Sequence, residues 1–317
     1  MSAPDIAVVV VSYETRERTL RCVDSVLSQE IVTLALVVVD NASQDETVAA
    51  LRRLDDARLS VIANDCNRGF GAACNQGVAV HANARHALFL NADTIVRPGA
   101  LAAIVAALDH GAAPGALGPT IVGENGGDQP SVRGHPTPLA LLHQHTALRF
   151  LRIGAADYAR YKRPPVSDED VPVVMGAALA VRGDVLRTLG GFDERYFLYF
   201  EEADLCRRIG DAGQRVAIVR DAVVEHAGGA SSDPRRGPAL NWYLRSLFLY
   251  VDRFHGRVFG LAYRALFKPL FLLRMLTDGL RDGLTWVFRP SKRADKGPEL
   301  RLGGWFLIRG VWAFLVA

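Results

Sequence analysis

Residues Ile6 to Glu46 read IAVVVVSYETRERTLRCVDSVLSQEIVTLALVVVDNASQDE, and the fold turns on the two valine-rich runs inside them. Ile6–Ser12 and Leu34–Asp40 are short, continuous apolar runs, the pattern of strands covered on both faces. A helical pattern over Arg16–Ser28 lies between them, so the segment predicts a strand, a crossover helix and a second, parallel strand. The alternation continues, with strands expected at Leu59–Ala63 and Ala87–Leu90 and a helix from about Gly69 to Ala82. Ser43-Gln44-Asp45-Glu46 has capping-box spacing and predicts a helix start. The class is α/β, a mostly parallel sheet flanked by helices.

Half of the 317 residues are hydrophobic and 22% are charged, enough to bury a large core and too apolar for disorder. Cys22, Cys66, Cys74 and Cys206 form no CxxC pair or zinc spacing, which predicts buried, reduced thiols and no disulfide. The opening MSAPDIAVVVVSYE sets an acidic residue before its apolar run and lacks the basic region of a secretory signal, so the expected location is the cytoplasm. The net charge of +3 conceals an asymmetry: residues 252–317 hold twelve Lys/Arg against five Asp/Glu, a net of +7, which leaves −4 on the first 251. Those basic residues are interleaved with Leu, Phe and Trp, whereas a nucleic-acid-binding arm is poorer in large apolar side chains. The expected partner is therefore an anionic membrane surface and not a nucleic acid.

Two domains are expected, 1–232 carrying the sheet and 233–317 an amphipathic helical region. Within the first, 119–172 turns to Gly, Pro, His and Asp and reads as a surface excursion, a flexible acceptor loop with a short helix near Leu139–Leu151. Order resumes with a strand over Val173–Val181, helices over Asp184–Leu189 and Glu201–Ala212, and a strand over Arg215–Val219. Past Pro238 the pattern is helical, with Leu240, Leu244, Leu247, Val251 and Phe254 on one face and a break expected at Pro269. Arg257, Arg264 and Lys268 form one basic stripe before that break, and Arg274 and Arg281 another after it. No eighteen-residue stretch lacks charge, so no membrane span is predicted; helices lying in the membrane interface are, with packing helices of a soluble domain as the alternative.

In an open parallel sheet, ligands bind beyond the carboxyl ends of the strands. The residues there are Ser12-Tyr13, Asp40-Asn41, Asn64–Asn75 (NDCNRGFGAACN) and Asn91-Ala92-Asp93. Asp40 can hydrogen-bond a nucleobase or ribose, and Tyr13 can stack on the base; each is also compatible with a helix cap or loop turn. GFGAAC is a poor dinucleotide fingerprint, because Cys74 replaces the third glycine and the segment follows the third strand. Asp93 ends an apolar run where a carboxylate can meet a divalent ion bridging two phosphates, and Mg2+ and Mn2+ both favour hard oxygen ligands. His226 can supply an imidazole or be a structural histidine. In YFLYFEEADLCRRI, Tyr196–Ile209, three carboxylates follow an aromatic run. They read either as acids favoured at a helix N-terminus or as a site with a general base in a partly desolvated pocket.

Taken in order, VVVVSYE, VVVDNASQDET, NRGFGAACNQG, ALFLNAD, VMGAALAVRGDVLRTLGGFDERYFLYFEEADLCRR and EHAGG resemble the successive motifs of the family 2 inverting glycosyltransferases, and most closely the rhamnosyltransferase-like subgroup of bacterial surface polysaccharide synthesis. The resemblance spans Ile6 to Gly229. It implies a GT-A type fold, a nucleotide-diphospho-sugar donor (dTDP- or UDP-linked), a Mg2+ or Mn2+ cofactor and a polyprenyl-linked or nascent glycan acceptor. By position it implies Tyr13 and Asp40 at the nucleoside, Asn67, Gly71 and Asn91 on the donor side, Gly176 with Ala177 beside the sugar, Asp93 and His226 at the metal, and Glu202 as the base. Glutamate stands where the family has aspartate, and NAD holds one acid where many relatives have two or three. The implied location is peripheral, on the inner face of the plasma membrane. Two other classes fit some of these residues: a noncatalytic nucleotide-sugar-binding subunit, and a glycoside hydrolase built on two carboxylates.

Overall fold

Valine-rich segments form interior strands of the sheet because their branched side chains suit a pleated surface covered on both sides. The computed structural model describes residues 3–30, 32–111, 113–164, 167–228, 236–289, 291 and 293–316. The chain divides into two compact units, Met1–His135 with Arg163–Asp233, and Pro136–Lys162 with Pro234–Ala317.

In the first unit β1 (Ile6–Ser12) leads through α1 (Arg16–Leu27) to β2 (Leu34–Asp40), then α2 (Thr47–Leu51), β3 (Leu59–Ala63), α3 (Phe70–Val80), β4 (His86–Asn91), β5 (Thr94–Val96), α4 (Ala100–Asp109), β6 (Ala116–Val122) and β7 (Val132–Arg133). The second unit contributes α5 (Pro138–His145), a 3-10 turn at Ala147–Leu151 and α6 (Ala155–Lys162). The chain then returns through β8 (Val173–Val174), β9 (Ala178–Arg182), α7 (Gly183–Leu189), α8 (Glu201–Asp211) and β10 (Val216–His226). Eight strands form one sheet in the order β3-β2-β1-β4-β9-β6-β10-β5, and β7 pairs with β8 in a small second sheet.

Strand direction fixes where the chemistry sits. β1, β2, β3 and β4 are mutually parallel, β9 is antiparallel to both β4 and β6, and β10 is parallel to β6. The carboxyl ends of β1, β2, β4 and β10 and the start of β9 therefore share one edge. Ile6, Val8 and Val10 face the core shared with Cys22, Val23 and Val26 of α1 and Leu101, Ile104 and Val105 of α4. Val9 points the other way, onto Gly77 of α3. Each fully buried branched side chain contributes about 1.5–3 kcal/mol.

Several sequence expectations change here. The Ser43–Glu46 box does not form. Glu46 precedes α2 in a left-handed conformation with no side-chain cap, because Ser43 is drawn onto Asp40 while Asp45 takes the amide and hydroxyl of Thr47. Residues 119–172 are not one excursion: Pro119–Val122 complete β6, and 136–162 belong to the second unit. There Thr137 accepts from the Ala140 amide, and Pro138 opens α5 where it needs no donor. The strand expected over Val173–Val181 is split at Met175–Ala177. Cys66 is exposed, while Cys22, Cys74 and Cys206 are buried; all four are free thiols.

In the second unit α9 (Arg236–His255), α10 (Arg257–Phe288), α11 (Arg293–Trp305), a π-helical turn and α12 (Val311–Val316) follow. Pro269 does not divide α10. It removes one backbone donor, while Tyr263, Phe267 and Phe271 stack along one side with ring centroids 5.6 and 5.8 Å apart and hold the turns around it. Phe248, Phe306 and Phe314 complete this aromatic core. Several cations of the expected stripes are engaged within the unit: Arg264 pairs with Asp252, Lys268 donates to the Leu315 carbonyl, and Arg274 donates to the Gln144 carbonyl and Asp278. No helix among the described residues is long and apolar enough to cross a membrane. The 232/233 boundary lies outside the described residues, as does Gly229 of EHAGG.

Candidate active site

Asp40 ends β2, and its carboxylate is consumed locally. Ser12 and Ser43 hydroxyls donate to Oδ1 at 2.8 and 2.6 Å, and the Ser43 amide donates to Oδ2 at 2.8 Å. It is 1% exposed. Asp40 thus ties the ends of β1 and β2 to the turn that carries Asn41. Tyr13 follows Ser12 at the same edge and is half-buried.

Asn41, which the sequence reading left without a role, is buried and donates to the Gly69 carbonyl at 3.2 Å while accepting from Asn64 at 3.0 Å. Asn64 and Gln76 exchange two further amide bonds, so the ends of β2 and β3 are locked to α3. Its position directly after a strand was the signal for it. Asn67 accepts from the Gly69 amide at 2.9 Å and shapes the turn into α3. Gly69 has φ of +86°, and a side chain there would strike the Phe197 carbonyl.

That contact joins α3 to the segment that presents the paired acids. Asn75 holds Phe192 at both its amide and its carbonyl, at 2.9 Å each. Phe192 sits edge-on to Phe89, centroids 4.8 Å apart, and a side chain at Gly71 would meet the Phe192 Cβ at a tight 3.1 Å. Arg208 then closes the loop from below, donating to Asp204 Oδ2 at 2.6 Å and to the carbonyls of Leu189 and Gly191 at 3.1 and 2.8 Å. With the segment pinned at both ends, Tyr199 and Phe200 are both forced to φ of +69°, a left-handed conformation that is costly for bulky residues and accumulates at functional sites. Helix α8 starts immediately after them.

The two acids of that first turn differ. Glu201 is 5% exposed, and its Oε2 has no hydrogen-bond partner. Burial first, and the Glu202 charge second, push its carboxyl well above the usual range. Glu202 is half-buried and lies against Gly176, whose missing side chain would meet the Glu202 carboxyl carbon at 3.5 Å. Burial raises its pKa as well; the backbone amides of Glu202 and Ala203 and the charge of Arg133 offset part of that rise.

Just past the end of β4, Asp93 Oδ1 lies 3.4 Å from His226 Nε2 at the end of β10. Burial alone would raise the Asp93 carboxyl, but the hydrogen bond and charge of His226, with Arg18 beyond, hold it below the usual range. Asn91 Nδ2 is 3.3 Å from His226 Nε2, and Gln129 Oε1 is 3.2 Å from Nδ1. The Gln129 oxygen suits a proton on Nδ1, and the Nε2 edge of the ring faces both the Asn91 side chain and the Asp93 carboxylate. Gln129 also donates to the His226 carbonyl at 2.8 Å; no sequence signal pointed to it. The Asn91 amide donates to Ala177 at 3.0 Å, so the Asp93–His226 pair and the Gly176–Glu202 contact flank one strand junction. Among the described residues no cluster of three or more His, Cys, Asp or Glu is arranged to hold a metal.

The profile of the glycosyltransferase like family 2 matches residues 4–244. An N-acetylglucosaminyl-diphospho-decaprenol L-rhamnosyltransferase of Mycobacterium tuberculosis is 29% identical over 264 residues, covering 79% of this chain and 85% of its own. The rhamnosyltransferase WbbL of Escherichia coli K12 is 33% identical over 87 residues, 27% of this chain and 33% of its own. A mannosyltransferase of Pyrobaculum calidifontis, solved with GDP-Man and Mn2+, is similar in structure with a TM-score of 0.56 at 18% identity, over 98% of this chain and 88% of that one. Staphylococcus aureus TarS gives 0.52 at 16%, over 78% and 40%. The mostly parallel sheet and these likenesses establish the GT-A type of fold.

Two outcomes follow from the site's electrostatics. Asp204→Ala strands the Arg208 guanidinium and lowers unfolding free energy by about 3–5 kcal/mol in chemical denaturation; a change below about 1 kcal/mol would remove the clamp. The folded chain holds the Glu201 proton more tightly than the unfolded chain, so stability falls as pH rises above the unfolded value of 4.5. Glu201→Gln therefore raises the melting temperature at pH 7, with a gain that shrinks as pH falls below 4.5. A gain independent of pH would exclude Glu201 as the titrating group.

Proposed function

The chain belongs to the glycosyltransferase like family 2, and from that premise we propose that it is an inverting transferase moving a sugar, L-rhamnose by analogy with its relatives, from a dTDP- or UDP-linked donor to a hydroxyl of a polyprenyl-diphosphate-linked glycan. The observation that carries this reading is the pair of sites around the β4/β9 junction. Asp93 pairs with His226 two residues past Asn91, whose backbone amide donates to Ala177, and Glu202 lies against the adjacent Gly176.

Asp93 and His226 fit a divalent ion that takes few protein ligands. Neighbouring ligands on an octahedral ion at about 2.1 Å stand about 3 Å apart, close to the 3.4 Å between Asp93 Oδ1 and His226 Nε2. Asp93 and His226 would hold the ion, and its other positions would be open to donor and water oxygens. Mg2+ or Mn2+ bound there would stabilise the charge that grows on the leaving diphosphate. Gln129 and Asn91 keep the imidazole aimed.

Glu202 takes the proton of the acceptor hydroxyl as the new bond forms at the anomeric carbon, and the bond to the diphosphate breaks on the opposite face with inversion. A proton affinity raised by burial makes Glu202 a stronger base than a solvated carboxylate. Gly176 leaves space for the sugar beside it. Asp40 acts on the nucleoside through the turn it holds, with Tyr13 as the stacking surface and Asn67 and Gly71 shaping the start of α3. Exposed apolar residues of the C-terminal helices support a peripheral position on a membrane surface.

Glu202→Gln preserves shape and removes the base, so turnover falls about 10²- to 10⁴-fold while donor binding persists. The assay is product release over a donor panel with Mg2+ or Mn2+, repeated with EDTA. Equal turnover in variant and wild type removes Glu202 from the mechanism, and turnover indifferent to EDTA removes the cation.

A further inference from the structure

Within the second unit lies a cavity of about 660 Å³ whose polar walls include Arg149, Arg274, Arg281 and Lys296 together with Asp278 and Asp282. Four cations meet two carboxylates, a surplus of two positive charges among the described lining residues. Asp278 is shared by Arg274 at 3.1 Å, Arg281 at 3.2 Å and Arg149 at 4.0 Å. Asp282 takes Lys296 at 3.0 Å and Arg281 at 3.2 Å. His145, also in the wall, adds no charge, because burial pushes its pKa down to about 3. Crowding like charges into a partly desolvated space is unfavourable unless an anion completes the set.

On α10 the residues Arg274, Asp278, Arg281 and Asp282 fall within an arc of about 100°, from the helical increment of about 100° per residue. Leu273, Leu276, Leu280, Leu284 and Val287 form a separate stripe on the same helix, each at least half exposed. That stripe runs for about 21 Å. One helix thus presents an anion-seeking wall and a long hydrocarbon-seeking face. This pairing fits an amphiphile, and the guanidinium forks match phosphate oxygens in bidentate fashion.

We propose that this cavity binds the diphosphate of a polyprenyl-diphosphate acceptor, whose hydrocarbon chain lies along the Leu273–Val287 stripe. The proposal rests on the lipid-linked acceptor of the reading above. Two negative charges on a diphosphate diester match the surplus, and the apolar stripe separates this ligand from a soluble phosphate.

The test is binding of the full chain to phosphatidylcholine vesicles carrying geranylgeranyl diphosphate, compared with vesicles carrying geranylgeraniol and with phosphatidylglycerol vesicles lacking both. The expected result is at least about tenfold tighter binding with the diphosphate than with either control. Arg281→Gln with Lys296→Gln, both partly exposed, should abolish that advantage with the circular dichroism spectrum unchanged. Equal binding to diphosphate and alcohol vesicles, or to phosphatidylglycerol vesicles, overturns the proposal. The wild-type comparison stands even if the double variant misfolds. Inorganic pyrophosphate competing as well as the lipid would overturn the role of the stripe. The assay contains no sugar donor and does not involve Glu202, so its failure is distinguishable from failure of the transferase reading.

Discussion

Arg208 binds three partners at once, and the geometry of the proposed base depends on it. Its guanidinium meets Asp204 one turn earlier and the carbonyls of Leu189 and Gly191 at the far end of the loop. Tyr196, fully buried, packs beside the same carboxylate. From above, Asn75 and the Gly69–Phe197 approach fix the loop to α3. Between these attachments Tyr199 and Phe200 are held left-handed, and Glu202 emerges at a defined point beside Gly176. A buried ion pair is poor currency for stability alone, because desolvation opposes its attraction; here it sets a position.

The arrangement keeps two kinds of charge control apart. Asp93 and His226 form a polar pair whose imidazole is held in place by Asn91 and Gln129. Burial favours the protonated form of Glu201 and Glu202, which suits proton transfer. Glu202 is the half-buried member of that acid pair, and Glu201 is almost fully enclosed. Glu201 has the stronger perturbation and the less useful location, so the size of a pKa shift does not by itself identify the base.

Much of the sheet was legible in the sequence because its strands are continuous valine runs with polar residues directly behind them, and strand direction then gathers those polar residues at one edge. Glu202 and Asp93 could be named from their motifs. Other features depend on partners far away in sequence. Ser43 donates to Asp40 instead of capping α2, and the same Asp40 oxygen also takes the hydroxyl of Ser12, 28 residues away. Pro269 stays inside a helix because aromatic side chains pack across it. Gln129 reaches His226 over 97 residues, and nothing local marks it. Residues 136–162 looked like loop because the C-terminal helices they group with lie about 100 residues later in the chain.

The central claim is that a carboxylate with raised proton affinity at Glu202 accepts the acceptor's proton, and the dependence of kcat/KM on pH for sugar transfer tests it most directly. The account predicts an acid limb with an apparent pKa above 4.5, the unperturbed glutamate value, that disappears in Glu202→Gln along with most of the rate. A profile that stays flat to below pH 4.5, or an acid limb that survives the substitution, would contradict it.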